Sequence, residues 1–162
     1  MAMSGVERRT GGQDRRRVPR GGRRATDQPG RYPHVLVADS YEGARICCVK
    51  YLDRLGFGVL EAGNGPGALA HIDAQSAHLV VIEHGLRDAP VADVANRLRS
   101  ASPTVPLIVM TSDLDVVGDT VTQLPLVSVL EKPFSLTTMI AEIRRLLRWG
   151  GRGADADAPA LL

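Results

Sequence analysis

Aromatic side chains are scarce, at 4% of the 162 residues. Large rings do not dominate the core, so alternating strands and helices built from aliphatic residues suit the chain better than a stacked β-sandwich. No apolar run reaches the roughly 18 residues that a membrane-spanning helix needs. The basic N-terminus is not followed by an apolar segment, so a secretory signal is not expected. There are two cysteines, and they are adjacent: Cys47 and Cys48. On a helix they point about 100° apart, which excludes an ordinary structural disulfide between them. Their expected role is that of small core and boundary residues in a reducing cytoplasm. No CxxC or Cys/His spacing suggests a metal. His34, His71, His78 and His84 form no helical metal motif either.

What is present is 44% apolar residues, enough for one domain with a sizeable core. The charge is unevenly placed. Residues 1–32 hold nine arginines (8, 9, 15, 16, 17, 20, 23, 24 and 31) against Glu7, Asp14 and Asp27, a net of +6. The whole chain carries +2, so the remainder carries −4. The first 32 residues have almost nothing apolar to bury, and glycine and arginine dominate them. A disordered tail is expected there. Such a tail suits non-specific nucleic acid or an anionic membrane surface through counterion release. It lacks the interleaved aromatics that stack on bases, so sequence-specific reading is not expected. A plain solvated tail remains the competing reading.

From His34 the pattern changes. "HVLVADS" is an apolar run ending at Asp39. "YEGARICCVKYLDRLG" carries a helical stripe at 44, 48, 51, 52 and 55, with Ser40 as the expected N-cap and Gly56 as the stop. "FGVLEAG" is a short strand. "NGPGALAHIDAQ" is a turn and a weak helix, because glycine is a poor helix former. "HLVVIE" is a third strand. "VADVANRLRSA" is a helix with Val91, Val94, Ala95 and Leu98 on one face. "VPLIVMTSD" is a fourth strand, "VVGDTVTQL" a poor helix, and "VSVLEKPF" a fifth strand with its exit. "SLTTMIAEIRRLLRW" is a helix expected to bury Leu136, Met139, Ile140, Ile143, Leu146 and Leu147. Residues 150–162 read as a flexible C-terminal tail.

Five apolar strands alternating with five helices predict an α/β fold, a doubly wound, flavodoxin-like sheet of five parallel strands. The expected domain spans 33–149. Chemistry in such a sheet sits beyond the carboxyl ends of the strands, where the strand order reverses. The polar residues at those ends are Asp39 and Ser40, then Glu83, then Thr111 and Ser112, then Lys132. Carboxylates bind Mg²⁺ through oxygen, a central carboxylate can attack phosphorus, and a hydroxyl and an ammonium meet phosphoryl oxygens.

With these residues in place, the chain resembles the receiver domain of bacterial two-component response regulators, CheY-like, over about residues 33–148. The pieces that carry the resemblance are "VLVADS", "LGFGVLEAGNGPGAL", "LVVIEHGL", "VPLIVMTS" and "LEKPFSLTTMIAEIRRLL". The resemblance implies an acidic pocket at Asp39 and Ser40, a phosphoacceptor position at Glu83, and phosphoryl contacts from Thr111 and Lys132. It also implies a cis bond before Pro133. It implies a cytoplasmic signalling module rather than an enzyme, acting with a histidine kinase or a downstream effector. Homodimers in the family often use the fourth helix, fifth strand and fifth helix.

Three positions depart from the family pattern. Ser40 stands where a second acid is usual, Glu83 where the phosphoacceptor Asp is usual, and Val129 where a switching aromatic is common. The loop "HGLRDAP" also lacks the usual Met-Pro and Asp-Gly pairs. Glu is one methylene longer than Asp, so its carboxylate reaches roughly 1–1.5 Å further out. In-line attack is sensitive to placement on that scale. Losing the acid at position 40 weakens Mg²⁺ binding by Asp39 and Glu83. The expectation is an atypical, stand-alone receiver in which Glu83 pairs with Lys132 and mimics part of the phosphorylated state. A purely structural Glu83–Lys132 pair and residual phosphorylation of Glu83 stay open. So does an adaptor tethered by the basic tail. An unrelated flavodoxin-like cofactor binder is disfavoured, because "ADSYEG" is not a Gly-rich phosphate loop.

Overall fold

The computed structural model describes residues 33–147. The two expected tails, 1–32 and 150–162, lie outside the described residues. Five strands alternate with five helices: β1 (His34–Ala38), α1 (Glu42–Arg54), β2 (Gly58–Ala62), α2 (Gly65–Asp73), β3 (Leu79–Glu83), α3 (Val91–Ala101), β4 (Leu107–Thr111), α4 (Asp119–Thr122), β5 (Val127–Glu131) and α5 (Leu136–Leu147). All strand pairings are parallel, in the order β2-β1-β3-β4-β5. The order reverses between β1 and β3, which places the crevice over their carboxyl ends.

Alternating side chains of each strand feed two cores, as the pleat requires. Leu36 and Ala38 of β1, Val80 and Ile82 of β3, and Leu107 and Val109 of β4 pack under α2, α3 and α4. Val35 and Val37, Leu79 and Val81, and Ile108 and Met110 face α1 and α5. β1 and β3 are buried on both faces, which is why they read as unbroken apolar runs. The helical stripes expected on α3 and α5 do this packing. Val91, Val94, Ala95 and Leu98 are buried, as are Met139, Ile140 and Ile143. Leu136, Leu146 and Leu147 are only partly buried, because they sit at the ends of α5 rather than over the sheet.

Helix ends show where local chemistry decides. At the end of α1, Phe57 N–H donates to the Leu52 carbonyl and Gly56 N–H to the Asp53 carbonyl, with Gly56 at φ +85°. This is a Schellman stop, held by contact between buried Phe57 and Leu52. Ser135 caps α5, its Oγ accepting the Thr138 N–H at 3.0 Å. Ser40 does not cap α1. The cap position is Tyr41, without a side-chain bond, and the Ser40 hydroxyl is used elsewhere. The weakness expected of the fourth helix is real. A turn of 3₁₀ helix at Leu114–Val116 is followed by Gly118 at φ +73° and only four residues of α4. By contrast α2 is well formed, with the Asn64 side chain accepting the Gly67 N–H at 2.8 Å.

Candidate functional site

Asp39 follows β1 and Glu83 ends β3, each one residue past the Ala38–Ile82 pairing. Thr111 ends β4, and Lys132 follows β5. The sheet thus brings these four residues to the carboxyl end of its strands. The Lys132 N–H donates to the Thr111 carbonyl at 2.6 Å, and the Lys132–Pro133 bond is cis, as the resemblance implies.

Only one direct pair forms among the expected site side chains. Lys132 Nζ lies 3.7 Å from Glu83 Oε1, with the two side chains 32% and 21% exposed. At that separation this is an ion pair rather than a hydrogen bond. The Glu83 carboxylate curls over its own loop, and a Cβ at Gly85 would lie 2.9 Å from Oε2. Gly85 therefore leaves room for the longer acid.

The other side chains are committed locally. Asp39 is buried at 3% exposure, and its Oδ1 accepts the Tyr41 N–H at 2.8 Å. Thr111 is also buried, and its hydroxyl donates to the Asp113 carbonyl at 2.7 Å and accepts the Asp113 N–H at 3.1 Å. It is turned into the loop after β4. Ser40 Oγ accepts the Arg87 N–H at 2.8 Å. Val129 is partly buried against the α2–α3–α4 core and supplies no ring to swing.

Mg²⁺ demands near-octahedral oxygen coordination, which carboxylates favour. Here one carboxylate faces Lys132, the other already accepts a main-chain N–H, and the neighbouring hydroxyl accepts another. No group of three or more His, Cys, Asp or Glu is placed to hold a metal ion among the described residues. Each carboxylate that could ligate a cation thus already has one partner, and a serine stands where the family has its second acid.

Two residues of the site, Arg45 and Arg87, escaped the sequence reading. Arg45 Nη1 donates to the Asp39 carbonyl at 2.8 Å, and its Nε lies 3.5 Å from Glu61 Oε2. Arg87 reaches the β1–α1 loop from the β3–α3 loop. Cys48 of α1 lies buried where the fields of both Asp39 and Lys132 reach it. Burial first, then Cys47 and Asp39, push its thiol up to about 11, against a smaller lowering by Lys132. The only sequence signal for the two arginines was the unusual loop "HGLRDAP", which contains Arg87.

A family model for the response regulator receiver domain matches residues 35–144. The sensory transduction protein RegX3 of Mycolicibacterium smegmatis is 34% identical over 128 residues, covering 76% of this chain and 54% of that protein. The chain spans about half the length of the curated relatives it matches. Among solved structures, the signal receiver domain of an HD domain-containing protein from Pseudomonas fluorescens aligns with a TM-score of 0.66 at 21% identity, covering 73% of this chain and 96% of that one. A CheY-like receiver domain from Methylobacillus flagellatus aligns with a TM-score of 0.63 at 20% identity, covering 71% and 98%. These structural likenesses speak to the fold.

Proposed function

From the premise that the chain belongs to the response regulator receiver family, we propose that it is an atypical receiver whose signalling state does not depend on phosphorylation. Glu83 holds the phosphoacceptor's position and keeps Lys132 engaged. The observation that carries this reading is the 3.7 Å Glu83–Lys132 pair across β3 and β5. The mimicry is partial. Lys132 is engaged as it would be by a phosphoryl oxygen, whereas the Thr111 hydroxyl stays with Asp113. Neither Mg²⁺ nor an enzymatic step is required, and output is by contact with a signalling protein, a histidine kinase or a downstream effector. The face formed by α4, β5 and α5 is the proposed contact and homodimer surface. β5 is a partly exposed edge strand there, and Leu114, Val116 and Leu126 stand exposed on the adjoining segments.

The test is intact mass after incubation with acetyl phosphate and Mg²⁺. Wild type is expected to stay unmodified. Glu83→Asp combined with Ser40→Asp restores both a nucleophile of the right length and a second acid, and is expected to gain a phosphoryl group. Uptake on Glu83 of the wild type would overturn the proposal. Glu83→Asp alone decides whether Ser40 disables the chemistry by itself: uptake means that only the nucleophile was lost.

A further inference from the structure

The two loops that frame the pocket are joined through Arg87. Its main-chain N–H donates to Ser40 Oγ at 2.8 Å, and its Nη2 donates to the Ser40 carbonyl oxygen at 3.3 Å. Its own carbonyl accepts the Gly65 N–H at 2.7 Å, which ties the same loop to the start of α2. On the other side Arg45 Nη1 holds the Asp39 carbonyl at 2.8 Å. Two successive carbonyl oxygens of the β1–α1 loop are therefore each met by a guanidinium. A hard divalent cation placed between these loops would attract oxygens of the same kind. The acids it would need are missing or taken: Ser40 replaces one, and Glu83 faces Lys132.

We propose that Arg87, whose guanidinium meets the Ser40 carbonyl oxygen while its main-chain N–H meets the Ser40 hydroxyl, is a built-in cation that closes the β1–α1 loop onto the β3–α3 loop and orders the pocket without a divalent metal. The residue types suit this role. A guanidinium is permanently charged and fixed to the chain, so the closure does not depend on ion concentration. A hydroxyl at position 40 accepts the Arg87 N–H without adding a second negative charge beside buried Asp39. Arg87 acts as a positioning residue: it touches neither Glu83's carboxylate nor Lys132 in the contacts that define the site, but holds the loop that carries Glu83's neighbours. The inference shares with the proposed function the premise of a metal-free pocket.

Amide hydrogen exchange on the full chain, read residue by residue by NMR, tests it. The reporters are the N–H groups of Tyr41, Gly65 and Arg87, each bonded within or between these loops. In the wild type their protection is expected to be the same with and without millimolar Mg²⁺. Arg87→Ala removes an exposed side chain and leaves both cores intact. It is expected to speed exchange at these amides by about tenfold, the size of one ordinary hydrogen bond lost. Arg87→Ala combined with Ser40→Asp and Glu83→Asp replaces the resident cation by the two acids a metal needs, and its protection is expected to return only when Mg²⁺ is added. Wild-type protection that rises with Mg²⁺ would overturn the proposal, as would unchanged exchange in Arg87→Ala. A triple variant indifferent to Mg²⁺ would reduce Arg87 to a packing contact and overturn its role as the cation. No phosphodonor is present, so phosphorylation of Glu83 and a slack Arg87 loop are separate failures.

Discussion

Glu83 and Lys132 meet at 3.7 Å with both side chains partly open to water. Solvent screens such a pair, so its worth to folding is about 0–1 kcal/mol. Its effect on partner choice is a different quantity, set by where the ammonium is held. Lys132→Met is therefore expected to shift the urea midpoint only slightly while changing affinity for whatever protein reads the pocket; a loss of several kcal/mol in the midpoint would make the pair structural. Cys48 makes a sharper prediction. Burial raises its thiol from 9.0 to about 11. Below pH 9 the thiol is neutral in folded and unfolded chains alike, and its contribution is constant. Between those values the unfolded thiol ionises and the buried one does not, so stability falls as pH rises. Comparing wild type with Cys48→Ala in denaturant melts from pH 8 to 11 isolates this slope, which the variant is expected to lack. At pH 8 a thiol reagent is expected to label exposed Cys47 and spare Cys48 in the folded chain. The positions of Asp39, Glu83, Thr111 and Lys132 were legible in the sequence because each ends an apolar run, and a strand end fixes a place. Their partners were not. Arg87 lies 47 residues from Ser40, and no periodicity links a loop arginine to a hydroxyl that far away.

At the scale of elements, α2 shows why propensity misleads. Its glycines read as weakness, since each costs helix stability in isolation. Gly65 is instead required by a close approach: a Cβ there would stand 2.2 Å from the Ala89 Cβ and 2.9 Å from the Ala89 nitrogen. Backbone cannot yield as a flexible side chain can. Gly65→Ala is expected to cost about 1–3 kcal/mol, the range of an overpacked site, and to loosen the 84–90 loop along with α2. Asn64→Ala removes only a cap and is expected to cost about 1 kcal/mol without disturbing that loop. Urea melts give the two costs, and exchange at the Arg87 N–H separates the two mechanisms. The end of α1 was readable from Gly56 because its stop is made by neighbours in sequence. The start of α1 was misread for the opposite reason: Ser40 has the right chemistry for a cap, and a distant N–H claims it first. The feeble α4 was legible too, since Gly118 and the β-branched residues around it oppose a helix, and four residues are all that forms.

On the scale of the molecule, the charge is divided more sharply than its total suggests. A net +6 over residues 1–32 adjoins a remainder of −4, within a chain of +2. A polyanion is attracted to one part and repelled by the other. If the arginines bind duplex DNA, several phosphates are neutralised at once, and log K falls with log salt at about −0.9 per phosphate. The domain's negative charge opposes that contact and adds no salt-released counterions of its own. Full-length chain is therefore expected to bind a random duplex at low salt with a steep slope, and to bind shuffled sequences equally. Deleting residues 1–31 is expected to abolish binding while leaving the melting temperature unchanged, because the two cores of the described residues run from Val35 to Ile143. Fluorescence anisotropy across a salt series measures this. A slope near zero would leave the arginines no role on DNA. Binding that survives the deletion would place the contact on the acidic domain, against its charge, and the tethered-adaptor reading would then have to be given up.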